Sequence, residues 1–149
     1  MISSERKKRF GIISTKMIVV DTSALFAFLA AEPEAERIGR QFHANELLIA
    51  APTWVETGIV IFNRLGLHGI ERLRALAGAL DMNIIEFNRD LSETAISAHR
   101  RYGRGSGHPA GLNMGDCFSY ALAKTRNLPL LFKGDDFIHT DIEPALKPA

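Results

Sequence analysis

Four acidic positions spread along the chain could together do chemistry that none could do alone: Asp21, Glu56, Asp116 and one of the neighbours Asp135 and Asp136. Singly, each has an ordinary structural role. Thr53-Trp54-Val55-Glu56 fits a capping box, in which the Thr hydroxyl takes a backbone N–H at a helix start and the Glu reaches back. Asn113-Met114-Gly115-Asp116 has the same spacing with a weaker cap, and Asp21 could cap a helix by itself. Their joint placement is what carries more. Carboxylates gathered in one crevice repel one another and hold their protons unless a cation neutralises them. Hard oxygen donors in that number suit Mg2+, with Mn2+ as a substitute, and such an ion can activate a water and stabilise charge on a phosphate during in-line displacement. No protein nucleophile is then needed.

Those acids can meet only if the elements between them fold in a particular way. From Met17 onward, short apolar runs alternate with longer helical stretches, the pattern of a parallel α/β sheet. Strands are expected over residues 17–20, 47–50, 83–87 and 130–132, with a possible fifth near Ile142. Helices are expected over 24–31, from Pro33 to about Asn45, from Pro52 to about Leu65, over 70–80, from an Asp90 cap to about Tyr102, and over 113–127. Gly66 and Gly69 read as the turn between the third and fourth helices, and 103–111 as a Gly-rich loop. In an open parallel sheet, ligands bind outside the carboxyl ends of the strands. Asp21 ends the first strand, Asp135 and Asp136 follow the fourth, and Glu56 and Asp116 sit in first helical turns.

The bulk properties agree with one domain of this kind. A chain of 149 residues with 46% hydrophobic content can bury a substantial core. Eighteen Lys and Arg nearly balance seventeen Asp and Glu, but setting aside the four clustered acids leaves a basic excess of five on the remaining surface, which suits a polyanionic substrate. The single cysteine, Cys117, excludes an intramolecular disulfide and suits a reducing cytoplasm. No apolar run reaches membrane-spanning length. Residues 1–16, with Arg6-Lys7-Lys8-Arg9, read as a basic, poorly ordered extension or an alternative start ahead of Met17, and 17–149 as the domain.

Four segments in order, Val19-Val20-Asp21-Thr22-Ser23-Ala24-Leu25, Pro52-Thr53-Trp54-Val55-Glu56, 112–123 around Gly115-Asp116-Cys117-Phe118, and Leu131-Phe132-Lys133-Gly134-Asp135-Asp136-Phe137, closely resemble the PIN-domain VapC toxins of bacterial toxin–antitoxin systems. The resemblance covers 17 to about 142. It implies a three-layer α/β/α domain with a four- to five-stranded parallel sheet, a homodimer, Mg2+-dependent endoribonuclease activity on RNA, and a cognate VapB-type antitoxin. Carried over by residue, it makes Asp21 and Asp116 the principal metal ligands, with Glu56 completing the site and orienting the attacking water. The fourth acid is assigned to Asp135, with Asp136 in reserve. Thr22 or Ser23 would hydrogen-bond the acids or a phosphate.

Arg100, Arg101 and Arg104 flank the Gly-rich loop and could hold RNA phosphates, although a solvated helix end explains them as well. Lys133 could touch phosphate or balance the acids. Gly103-x-Gly105-x-Gly107 follows no strand and carries no Lys-Ser/Thr, which removes nucleotide-loop readings. The five histidines show no paired ligand spacing. Trp54, Ile59, Ile61 and Phe62 place apolar side chains on more than one helical face, suggesting burial against both core and partner. Two alternatives stand beside the nuclease: a phosphatase or receiver with Asp21 as nucleophile, although the second acid expected two residues later is Ser23, and a non-catalytic PIN-like binding module.

Overall fold

The computed structural model describes residues 16–147. The expected basic extension therefore lies almost wholly outside the described residues, and Lys16, assigned to it from sequence, is the first residue of a strand. The strands are β1 (Lys16–Val20), β2 (Asn45–Ala50), β3 (Asn83–Ile85) and β4 (Leu130–Leu131), all parallel, in the order β3-β2-β1-β4. The helices are α1 (Thr22–Leu29), α2 (Ala35–Ala44), α3 (Ala51–Ala79), α4 (Arg89–Tyr102) and α5 (Met114–Arg126), followed by a 3-10 turn at Asp136–His139.

Why the sequence makes three layers can be read from strand parity. Successive strand side chains point to opposite faces. Ile18, Val20, Leu47, Ile49 and Leu131 join one core with Leu25, Ile38, Phe42, Ile61 and Leu73 from α1, α2 and α3. Val19, Leu48, Ala50 and Leu130 join the other with Leu91, Ala95, Tyr120 and Leu122 from α4 and α5. Strands that are apolar on both faces need helices on both, and the chain supplies three on one side and two on the other.

Gly66 (φ 71°, ψ −165°) breaks α3 where the sequence predicts a turn. Gly69 is no part of that turn: it is buried in the second half of α3, where a Cβ would press on Leu65 and Ile61. Asn88, two residues ahead of the expected Asp90, caps α4 by accepting from the Leu91 N–H at 3.0 Å. The tail forms no fifth strand among the described residues. Leu130 pairs with Glu143 and Ala145 through two 2.9 Å backbone hydrogen bonds, an isolated bridge that covers the edge of β4.

The strand order has one functional consequence. From β1 the chain moves outward through β2 to β3, then returns to place β4 on the other side of β1. The crevice beyond the carboxyl ends of β1 and β4 is the topological switch point, where open α/β sheets receive ligands.

Candidate metal centre

Asp21 follows β1 directly, at the switch point, and caps α1. Its Oδ2 accepts the Ser23 N–H at 3.0 Å and the Ser23 hydroxyl at 2.6 Å. Its Oδ1 accepts the Ser119 hydroxyl at 2.5 Å. Asp116 completes a capping box at the start of α5, taking the Asn113 N–H on Oδ2 at 3.0 Å while its own N–H bonds Asn113 Oδ1 at 2.8 Å. Capping and chemistry are therefore compatible, since each carboxylate has two oxygens and several lone pairs.

The better-looking capping box, at Thr53, does not form. Helix α3 begins earlier, at Ala51, with Pro52 in its first turn and no side-chain cap. Thr53 is fully buried, and Glu56, released from capping, accepts from the Thr22 hydroxyl at 2.7 Å. Thr22 also lies 2.8 Å from the Thr57 hydroxyl, which is within 2.8 Å of the Thr53 carbonyl. A hydroxyl has one proton to give, so with Glu56 ionised the Thr22 proton goes to Glu56, and the Thr57 proton is left to the Thr53 carbonyl or the Thr22 oxygen. Gly115 leaves room for this aim: a Cβ there would collide with the Glu56 carboxylate, which therefore rests against the first turn of α5.

The electrostatics follow from this crowding. Burial, followed by the charge of Asp21, raises Glu56, while the Thr22 hydrogen bond opposes the rise. Asp116 is pushed up to about 7, first by burial and then by Asp21, Asp136 and Glu56, against the Asn113 backbone hydrogen bond. Asp136 is thus the member of the acidic pair felt at Asp116. Asp135 lines a separate hollow with Glu34, Arg37, Lys133 and Lys147. Among the described residues no three acids, histidines or cysteines form a ready metal cage. Mg2+ does not demand one: it is commonly held by one or two carboxylates and keeps several waters. All-oxygen donors that crowd and retain protons fit such an ion.

The remaining residues singled out from sequence lie elsewhere or face elsewhere. Lys133 donates its backbone N–H to the Ser23 hydroxyl at 3.0 Å, but its ammonium goes to Glu32 at 2.6 Å and Glu34 at 3.6 Å. Arg101 lies over the Tyr102 ring at 4.8 Å and 3.9 Å from Asp141. Arg104 is exposed in the loop, and Arg100 is at the rim of a cavity of about 490 Å³ between α4 and α5 that also includes Phe87, Met114 and Phe118. Sequence reading missed Ser119 and Thr57 and gave Thr53 only a capping role; all three are fully buried polar side chains. A run of hydroxyls at Thr53, Thr57 and Ser119, each on a face otherwise committed to the core, was the available signal.

Residues 18–143 match the model of the PIN domain, and the fold agrees with that class. The chain is 43% identical to Ribonuclease VapC30 of Mycobacterium tuberculosis over 88% of its length and 100% of that protein's. It is 43% identical to Ribonuclease VapC of Mycolicibacterium smegmatis over 84% of its length and 97% of the relative's. The chain belongs to the PIN-domain VapC ribonuclease toxin family. Among solved structures, Mycobacterium tuberculosis VapC20, a sarcin-ricin loop cleaving toxin, superposes with a TM-score of 0.69 at 17% identity, covering 84% of this chain and 95% of that one. A toxin–antitoxin complex from Klebsiella pneumoniae gives 0.60 at 22% identity, covering 80% and 89%. These two likenesses concern the fold.

Proposed function

We propose that this chain is the toxin of a type II toxin–antitoxin pair, an Mg2+-dependent endoribonuclease in which Mn2+ can substitute. Asp21 and Asp116 would hold the ion, with Glu56 and Asp136 completing the acidic rim; Asp136 takes precedence over Asp135 because its charge is felt at Asp116. When bound, the ion supplies Lewis acidity to the scissile phosphate and makes a nearby water more acidic. Glu56, aimed by Thr22 and accommodated by Gly115, orients the attacking water. Ser23 steadies Asp21 and is itself fixed by the Lys133 N–H.

The observation that supports this most directly is the meeting at the switch point of acids supplied by β1, α3, α5 and the turn after β4. A nucleophilic Asp21 is disfavoured, since both its oxygens already accept short hydrogen bonds. RNA would approach over a surface with Arg100 and Arg104 exposed beside α4. A cognate VapB-type antitoxin and a homodimer belong to the same reading. Val55, Ile59 and Phe62, more than half exposed on one stripe of α3, are apolar surface for such contacts, while Ile61 is buried in the core. No helix among the described residues is long and apolar enough to cross a membrane, and a cytoplasmic site of action is part of the proposal.

The test is cleavage of RNA by the purified chain after chelator washing. Activity should return with Mg2+ and be absent from Asp21→Ala at any Mg2+ concentration. Equal cleavage by parent and variant, or full cleavage in excess chelator, would remove the metal-site reading.

A further inference from the structure

A serine inside a helix ordinarily turns to solvent or bonds the carbonyl one turn back. Ser119 does neither. It is fully buried in α5, and its hydroxyl reaches across the fold to Asp21 Oδ1 at 2.5 Å. The Thr53 hydroxyl, equally buried, stands 3.4 Å from it on the other side. Because an ionised Asp21 can only accept, the Ser119 proton must point to Oδ1, and Thr53 is left to donate into the Ser119 oxygen. The geometry points to Ser119 as a positioning residue that fixes the plane of the Asp21 carboxylate and its distance from Asp116, so that the two can share one divalent cation.

Two features separate this role from simple satisfaction of a buried acid. The terminal torsion of an Asp is soft, and Ser23 grips only Oδ2, so without Ser119 the carboxylate could swing about that one anchor. Ser119 also follows Asp116 by three residues in the same helix, which puts both side chains on one face of α5. The hydroxyl thus ties the acid of β1 to the helix that carries the other principal acid. Groups that orient a ligand in this way commonly change metal affinity by about ten- to a hundredfold when removed.

The inference rests on the metal-site reading above, and its test separates the two. Full-length parent, Ser119→Ala, Ser119→Cys and Asp21→Asn are titrated with Mn2+ alone, following the free ion by electron paramagnetic resonance, with thermal unfolding of the chelator-treated proteins measured alongside. Ser119→Cys keeps the buried volume while weakening the donor. Expected is a Mn2+ dissociation constant raised on the order of tenfold in both Ser119 variants, with melting temperatures lowered by several degrees but the proteins still fully folded at the temperature of the titration, and loss of measurable binding in Asp21→Asn. Parental affinity in both Ser119 variants together with loss in Asp21→Asn would leave the metal site standing and overturn the role of Ser119. Parental affinity in Asp21→Asn as well would overturn both.

Discussion

Helix α5 has an acidic neighbourhood at each end, and the two are built in opposite ways. Towards its carboxyl end, Asp141 accepts from the Tyr120 hydroxyl and the Lys124 ammonium, both at 2.7 Å, with Arg101 at 3.9 Å. Burial works against the charge there, but the hydrogen bonds from Lys124 and Tyr120 prevail and hold the carboxyl below its ordinary range. At the amino end, burial and the charges of Asp21, Asp136 and Glu56 push Asp116 up to about 7. None of Asp21, Glu56, Asp116 and Asp136 forms an ion pair with a Lys, Arg or His among the described residues. An acid supplied with its own cation fastens the tail to a helix. On the function proposed above, acids packed together without one await a cation that comes from outside.

If that contrast is right, the same change at the two ends should have unlike consequences. Asp116→Asn keeps size and most of the capping geometry yet removes a charge from the centre, and RNA cleavage should fall by more than about a hundredfold. Asp141→Asn should leave the cleavage rate within about twofold and lower the melting temperature by a few degrees, as expected for roughly 1 kcal/mol from a half-exposed ion pair and hydrogen bond. Comparable losses of cleavage in the two variants would erase the distinction.

A sharper probe removes no charge at all. Gly115→Ala should favour the helix by propensity, but its methyl would occupy the place of the Glu56 carboxylate. Cleavage should drop on the order of tenfold or more, with the helix content by circular dichroism unchanged. Parental activity in this variant would mean that the position of Glu56 is immaterial. Next in size is the neighbouring pair: Asp136→Ala should reduce cleavage several-fold while Asp135→Ala leaves it nearly intact, and the reverse order would return the fourth place to Asp135.

The smallest effect expected is on stability against pH. Asp116 titrates higher in the folded, metal-free protein than in the unfolded chain, where a carboxyl sits near 3.8. Between those two values the folded state binds more protons than the unfolded, so stability falls as pH rises through that window. The chelator-treated protein should therefore melt lower at pH 8 than at pH 5 by a few degrees, and added Mg2+ should raise the melting temperature more at pH 8. Asp116→Asn should flatten both trends, and thermal scans at the two pH values decide it.

Much of this arrangement is legible in the sequence because local rules govern it. The apolar runs of β1, β2 and β4 give strands buried on both faces, and Asp21 and Asp116 stand where strand ends and helix starts must put them. What was not legible depends on partners far along the chain. Thr53 and Glu56 satisfy a local capping pattern, but Pro52 lets the helix start earlier and the two side chains are taken by Ser119 and Thr22 instead. Lys133 stands next to the acidic pair in sequence, yet Glu32 and Glu34 capture its ammonium from the loop after α1. Ser119 is not singled out by the sequence because its partner, Asp21, lies 98 residues away. Gly69 read as a turn because close packing against Ile61 leaves no local mark.

The most direct measurement is an anomalous difference map from crystals of the full chain soaked in Mn2+. Expected is a peak within about 2.5 Å of both the Asp21 and Asp116 carboxylates, on the side of Glu56. A well-occupied peak elsewhere, with the switch-point crevice empty at saturating Mn2+, would contradict the assignment of these acids to a metal.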